Sequence, residues 1–396
     1  MIQRNNFPIR GGLRFYAATI MVILCFLAFG CKPEPEMPPK EKDPVDTIAA
    51  LDFITGMDMS YQPMLEDRGV VFKNEAGETI DDMMDYLKGE GVNLIRLRLF
   101  HTPDLSDPVM AASTLTQVVD MAHKVVDSGN NWLLDIHYAD TWADPGNQPV
   151  PAAWQGLSVA LLRDSVFEYT LRVMGRLAEA NVLPQMVQIG NETNDGFLWD
   201  QGRAWGQFAQ YATLVNAGLE AVSQIAIQEE VEIKTMIHIS GVVDKDSFYQ
   251  SLIAQNVEFD IIGLSHYSRW HNKDLTIVES ELKAFAAQFE KPILIVETAY
   301  PWTLGWNDWT NNLVGGDDHL VDNYPATAEG QAAYLKAWAD MLKAIPENRG
   351  LGFVWWAPDY VAFDGPQSNN GSPWENMTTF DFDNEALPVM GVFKEY

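Results

Sequence analysis

From Asp52 onward, short apolar runs alternate with amphipathic stretches, and eight such units follow one another along the chain. The apolar runs predict strands over Phe53–Met57, Asn93–Leu99, Trp132–His137, Met186–Ile189, Ile233–Ile239, Phe259–Ser265, Ile293–Glu297 and Gly352–Trp356. Between them, helical spacing predicts helices over Asp81–Lys88, Leu115–Asp127, Val166–Ala180, Trp205–Ile227, Leu282–Phe289 and Ala328–Ile345. The strand candidates are near-continuous apolar runs, the mark of parallel strands covered on both faces. Eight alternating units in a chain of this length predict an α/β fold, a (β/α)8 TIM barrel, with no second domain. Long irregular segments over Ala139–Gly156, Tyr300–Tyr324 and Ala357–Leu387 all follow strand ends. Connections of that length are uncommon unless they are functional, so they are expected to rim one face and shape a cleft there.

The N-terminal region reads differently. Arg4, Arg10 and Arg14 precede an uncharged stretch from Phe15 to Phe29, followed by Gly30 and Cys31. That is the order of an export signal, and it is too short for a membrane span. Cys31 after Ala28-Phe29-Gly30 resembles a bacterial lipoprotein cleavage site, although the customary leucine lies one place further back, at Leu27. The competing reading is an ordinary secretory signal that leaves Cys31 as an odd thiol. Cys25 would be discarded with the signal, so no disulfide is expected in the mature domain. Five prolines between Lys32 and Asp46 make an extended spacer. The expected organisation is a signal peptide over 1–30, a lipidated Cys31 with its linker over 31–46, and a barrel over 47–396. Such a protein is exported and held by its lipid on the outer membrane, at the cell surface, touching membrane only through the anchor.

Composition narrows the partners. A formal net charge of −29 opposes binding to nucleic acid or anionic lipid, while a neutral glycan is indifferent to it. The aromatic load of 13 Trp, 13 Tyr and 19 Phe exceeds what packing alone requires. A monomer is expected.

The candidate chemistry lies at two strand ends. Gly190-Asn191-Glu192 closes strand four and Val296-Glu297-Thr298 closes strand seven. Carboxylates at the carboxyl ends of barrel strands sit where barrel active sites are built. Two of them across one cleft meet the requirement of glycosidic-bond hydrolysis, with one acid donating to the leaving oxygen and one carboxylate attacking or activating water. At a separation of about 5 to 5.5 Å, Glu297 would be the nucleophile of a retaining mechanism and Glu192 the acid/base. Asn191 is placed to hold the sugar 2-hydroxyl. Arg96 interrupts the apolar second strand and needs a carboxylate partner there, which would keep the nucleophile ionised by lowering its pKa; Arg98 shares its parity and competes for the role. Trp142 and Trp356 are candidates for stacking on sugar rings. In the stretch from Asp135 to Pro145, His137, Asp140 and Asp144 lack the spacing of a metal site, so His137 and Asp140 are assigned to hydrogen bonding with sugar hydroxyls or within the loop.

Taken together, these segments resemble glycoside hydrolase family 53, the endo-β-1,4-galactanases. The resemblance rests on Gly56-Met57-Asp58-Met59-Ser60, Gly91 to Arg98, His137 to Pro145, Gln188 to Glu192, Val296-Glu297-Thr298, Tyr324 to Thr327 and Gly350-Leu351-Gly352. It implies a retaining enzyme acting inside β-1,4-galactan, the side chain of pectic arabinogalactan type I, with no catalytic cofactor. Glu192 would be the acid/base, Glu297 the nucleophile, and Arg96, Asn191, Tyr267 and Trp356 sugar contacts. Bacterial members often carry a structural calcium between the loops after strands seven and eight, which would fall to Asp308 and Asn312 here, beside Asn307 and Asn311. The chain departs from the family pattern at Thr193-Asn194-Asp195-Gly196, at Ser265-His266-Tyr267-Ser268 and at Trp356-Ala357-Pro358-Asp359-Tyr360, which opens subsite and linkage preference. A mannanase or glucanase on the same barrel, or a lipoprotein that only captures glycan, are the alternatives.

Overall fold

The computed structural model describes residues 53–396. The signal, Cys31 and the linker lie outside the described residues. Eight parallel strands close into a barrel in sequence order: β1 Ile54–Asp58, β2 Leu94–Leu99, β3 Asn131–Ile136, β4 Met186–Ile189, β5 Lys234–Ser240, β6 Ile261–His266, β7 Ile293–Thr298 and β8 Gly350–Trp355. All eight predicted strands are present, with boundaries displaced by two residues or fewer.

The helices that cover the barrel are α1 Gln62–Asp67, α2 Met83–Gly89, α3 Pro108–Ala111, α4 Leu115–Asp127, α5 Val159–Glu179, α6 Phe208–Glu229, α7 Asp246–Ala254, α8 Leu275–Phe289, α9 Ala328–Lys343 and α10 Met390–Glu395. Two of them start about two turns earlier than the apolar spacing predicted. Ser158 caps α5 by accepting from the Leu161 amide, and Asp274 caps α8 by accepting from those of Thr276 and Ile277. The opening turns of both helices are mostly solvated, so their starts are marked by caps and not by apolar periodicity. α7 was not predicted because it buries only Tyr249 and Leu252.

Alternation along each strand divides the core in two. Ile54, Leu94, Leu133, Met186, Met236, Ile261, Leu294, Val296 and Val354 fill the barrel interior. Their outward neighbours, such as Ile95, Leu97, Trp132 and Val187, pack under the helices. Strand β8, which closes the ring, depends on Gly352: at φ +135 a Cβ there would stand 2.0 Å from the Ile54 carbonyl oxygen of the neighbouring strand.

Candidate active site

Strand parity sends a row of polar side chains into the barrel mouth. Leu94 lies in the interior plug while Ile95, Leu97 and Leu99 face the helices, so Arg96 and Arg98 both point inward. Both are fully buried. Arg96 is the hub: Nη1 lies 2.9 Å from Asp58 Oδ2, and Nη2 lies 2.8 Å from Asp135 Oδ2 and 2.9 Å from Glu297 Oε1. The same Nη2 donates to Asn191 Oδ1 at 3.0 Å. Among the described residues Arg98 reaches no carboxylate. Its guanidinium nitrogens have no hydrogen-bond partner and its charge lies against aromatic faces, 4.2 Å from the Trp142 ring and 4.9 Å from that of Tyr61.

Glu297 reaches the mouth through an irregularity in β7. The β6–β7 register runs from Leu264↔Ile295 directly to Ser265↔Glu297, leaving Val296 as an extra residue. Leu294 and Val296 already face the interior, so strict alternation would turn Glu297 outward. The bulge re-aims it inward. Oε2 accepts from the Tyr267 hydroxyl at 2.9 Å.

Glu192 stands where β4 turns away, after Gly190 at φ 78, and its own φ is 45. A side-chain-bearing residue held in that left-handed region costs about 1–3 kcal/mol and is concentrated at functional sites. Its neighbours fix the turn: Gln148 Nε2 donates to the Asn191 carbonyl at 2.8 Å and the Thr193 amide donates to that of His238 at 2.9 Å. The carboxylate accepts from the Ser265 hydroxyl and has no cation at hydrogen-bond distance among the described residues.

The two carboxyls titrate above the usual carboxylate range. For Glu192 the cause is burial, opposed by the Ser265 and Ser240 hydroxyls. For Glu297 burial again dominates, Arg96 pulls the other way, and the charges of Glu192 and Asp135 push upward. The expected net lowering by Arg96 is therefore corrected. Arg96 divides its charge among three carboxylates, so it offsets the burial of Glu297 only in part. Asp135 takes a large share: against the cost of burial, Arg96 and His137 hold it at about 2. The two differ in their neighbours: Glu297 has the Arg96 guanidinium at 2.9 Å, whereas Glu192 has no ion pair among the described residues.

The cleft above these residues has a volume of about 1180 Å³ and spans the mouth, from Tyr61 and Tyr360 beside β1 and β8 to Ser240 and Trp270 beyond β5 and β6. Aromatic rings run along it: Tyr360 stacks on Tyr61 at 3.8 Å, Tyr61 meets Trp356 at 6.3 Å, Trp356 meets Trp374 at 6.2 Å, and Trp374 meets Tyr267 at 5.2 Å. Of the residues singled out from the sequence, Asn191, Trp142, Tyr267 and Trp356 line the cleft. The amide of Asn191 is oriented by Arg96 and by donation to the Ala143 carbonyl at 2.9 Å.

His137 and Asp140 are not brought to the cleft. His137 Nε2 lies 3.0 Å from Asp135 Oδ2 and its Nδ1 accepts from the Ala143 amide, so it supports the arginine cluster from behind. Asp140 accepts from the Thr102 and Ala152 amides and ties two loops together. Sequence reasoning assigned no role to Asp58, Asp135 and Ser265, or to Trp270 among the tryptophans. An acid inside an apolar strand, in Trp132-Leu133-Leu134-Asp135-Ile136, was the available signal for the arginine's partners.

In the loops after β7 and β8, Asp308 and Asn312 are buried, and Asp308 Oδ2 and Asn312 Oδ1 have no hydrogen-bond partner. Glu375 Oε2 is likewise buried and unpartnered. A Cβ at Gly371 would collide with Asp308 Oδ2 at 1.8 Å, so only glycine leaves that oxygen its place. Orphaned oxygens suit a hard cation, although no group of three or more His, Cys, Asp or Glu able to hold a metal occurs among the described residues.

The sequence pattern of Glycosyl hydrolase family 53 matches residues 54–393. The chain belongs to that family. It is therefore a glycoside hydrolase. An uncharacterized protein of Niallia circulans is 38% identical over 353 residues, covering 86% of this chain and 93% of that protein. The arabinogalactan endo-beta-1,4-galactanase of Cellvibrio japonicus is 30% identical over 350 residues, covering 86% and 90%. Among solved structures, the family 53 catalytic domain of Ignisphaera aggregans superposes with a TM-score of 0.81 at 34% identity, covering 92% of this chain and 98% of that one.

Proposed function

We propose that the protein is an endo-acting, retaining β-1,4-galactanase. The observation that carries the mechanism is the unequal setting of two buried carboxylates in one cleft: Glu297 has Arg96 and the Tyr267 hydroxyl, whereas Glu192 has a serine hydroxyl and, among the described residues, no cation at hydrogen-bond distance. Glu297, ionised, attacks the anomeric carbon while Glu192 gives its proton to the departing glycosidic oxygen. Glu192 then takes a proton from water as that water displaces Glu297 and frees the sugar. Galactan as the substrate rests on the family and on the Cellvibrio japonicus relative, and endo action on a cleft that crosses the whole barrel mouth.

The test is hydrolysis of galactan, mannan and cellulose side by side, with nuclear magnetic resonance of the first product. Galacto-oligosaccharides of several lengths with an initial β-anomer are expected. An initial α-anomer would show an inverting enzyme, and faster release from mannan or cellulose would move the substrate assignment.

A structural calcium is part of the same proposal. Asp308 and Asn312 would hold it with Glu375, and it would brace the β7 and β8 loops without entering the reaction. Chelation is expected to lower the melting temperature and added calcium to restore it, with Asp308→Ala insensitive to both. An unchanged melting temperature in excess chelator would remove the ion from the account.

A further inference from the structure

We infer that the leaving-group end of the cleft is a subsite for an acidic sugar, a uronate residue on the reducing-end side of the cleaved bond; this rests on the galactanase reading above. Direction comes from the acid. Glu192 is held by Ser265 of β6 and influenced by Ser240 of β5, so the oxygen it protonates, and the sugars that depart with it, lie over the β5 and β6 loops. Lys245, Trp270 and His271 line the cleft there.

Trp270 is 50% exposed and packs edge-on against Tyr267 at 5.5 Å, which holds Glu297 at 2.9 Å. The half-exposed indole therefore stands next to the reaction centre. Two cations flank this region. Arg269 lies over the Trp270 ring, 5.4 Å from its centroid, and donates to the carbonyl of Leu313. The stem of Lys245 arches over Gly241, where a Cβ would be 2.9 Å from Lys245 Cε and 3.4 Å from His271 Cδ2.

Neither cation has an acidic partner: among the described residues Lys245 and Arg269 form no ion pair. Local structure does not account for Lys245. It precedes α7 as the N-cap and its side chain caps nothing, and although Asp244 and Asp246 flank it in sequence it pairs with neither. At the opposite end of the cleft, Arg68 is neutralised by Asp364 at 3.1 Å. In a chain of net charge −29, two cations without an ion pair among the described residues, beside a half-exposed indole, mark a part of the cleft suited to a carboxylate. His271 contributes no charge. Its Nδ1 accepts from the Tyr267 amide at 2.9 Å, its Nε2 faces Ser240 Oγ at 3.1 Å, and burial with the neighbouring charge of Lys245 keeps it neutral down to about 3. The overall negative field favours a single uronate in a neutral chain over a polyuronate.

The experiment uses the full chain with Glu297→Gln, so that binding is read without turnover. Isothermal titration compares two β-1,4-galactotetraoses, one ending in galactose and one carrying galacturonic acid as its reducing-end residue. The acidic ligand is expected to bind up to about fivefold tighter per contributing cation at low salt, the ceiling for a partly exposed ion pair. Adding Lys245→Gln and Arg269→Gln should bring the ratio to about one, as should raising the salt to 1 M, where the screening length is about 3 Å. Equal binding of the two ligands, or a ratio untouched by both substitutions, overturns the subsite and leaves the galactanase reading standing. Failure of both ligands to bind overturns the galactan reading and this subsite with it.

Discussion

Glu297→Ala is expected to lose more than about 10²-fold in kcat/KM on galactan while keeping its melting temperature. The loss follows from removing the atom that attacks the anomeric carbon. The retained stability follows from charge balance, because Arg96 keeps Asp58 and Asp135 as partners, and one buried carboxylate that competes for its charge has gone. Glu192→Ala is expected to lose as much on the polysaccharide, but to regain rate on an aryl galactoside whose leaving group departs without a proton. Glu297→Ala has no such escape. The contrast assigns the roles: rescue of Glu297→Ala and not of Glu192→Ala by the activated leaving group would exchange them. Residual activity above a few per cent in either variant on the polysaccharide would place the chemistry elsewhere.

The fold was legible because strand β2 shows its own parity. Leu94, Arg96 and Arg98 alternate with Ile95, Leu97 and Leu99, and in a closed barrel one set faces inward and the other the helices. A buried arginine implied acidic partners, and the strand-end glutamates fell at the mouth because that is where barrel strands deliver their last residues. The bulge at Val296 left no trace in the apolar pattern, since Ile293 to Val296 is uniformly hydrophobic whichever way each residue points. Nor did the pattern reveal that Arg96 would have three acidic partners, which is why its effect on Glu297 was overestimated. His137 and Asp140 lie within one of the segments that carry the family resemblance and are still not among the residues that line the cleft. Their sequence neighbourhood could not separate contact with sugar from support of Asp135 and of the loop. Trp270 was missed because a lone tryptophan in a short loop looks the same whether it anchors that loop or lines a cleft.

Arg96→Met is expected to lower unfolding free energy by about 3–5 kcal/mol, the cost of leaving buried charge without its partner. Three carboxylates converge on this guanidinium, and it is fully buried with Asp58 and Asp135. Methionine fills a similar volume, so the loss reports charge more than packing. The pH dependence separates this cause from a cavity. Asp135 is held at about 2 by Arg96 and His137 in the folded protein, against about 3.9 in an unfolded chain. A depressed carboxyl contributes stability above its unfolded value, and that contribution disappears as pH falls through the folded one. The gap between the parent protein and Arg96→Met should therefore be full near neutrality and narrow below about pH 4. Arg96→Lys should fall between them, because one ammonium restores the charge without the planar fork that reaches partners on β1, β3 and β7 together. Denaturant titration of all three forms at pH 7 and pH 3 is the measurement. A loss below about 1 kcal/mol at pH 7, or one of equal size at both pH values, would mean that the hydrogen bonds Gln188 Nε2 donates to Asp135, to the Gly190 carbonyl and to Asn191 hold the mouth together and that Arg96 only occupies it.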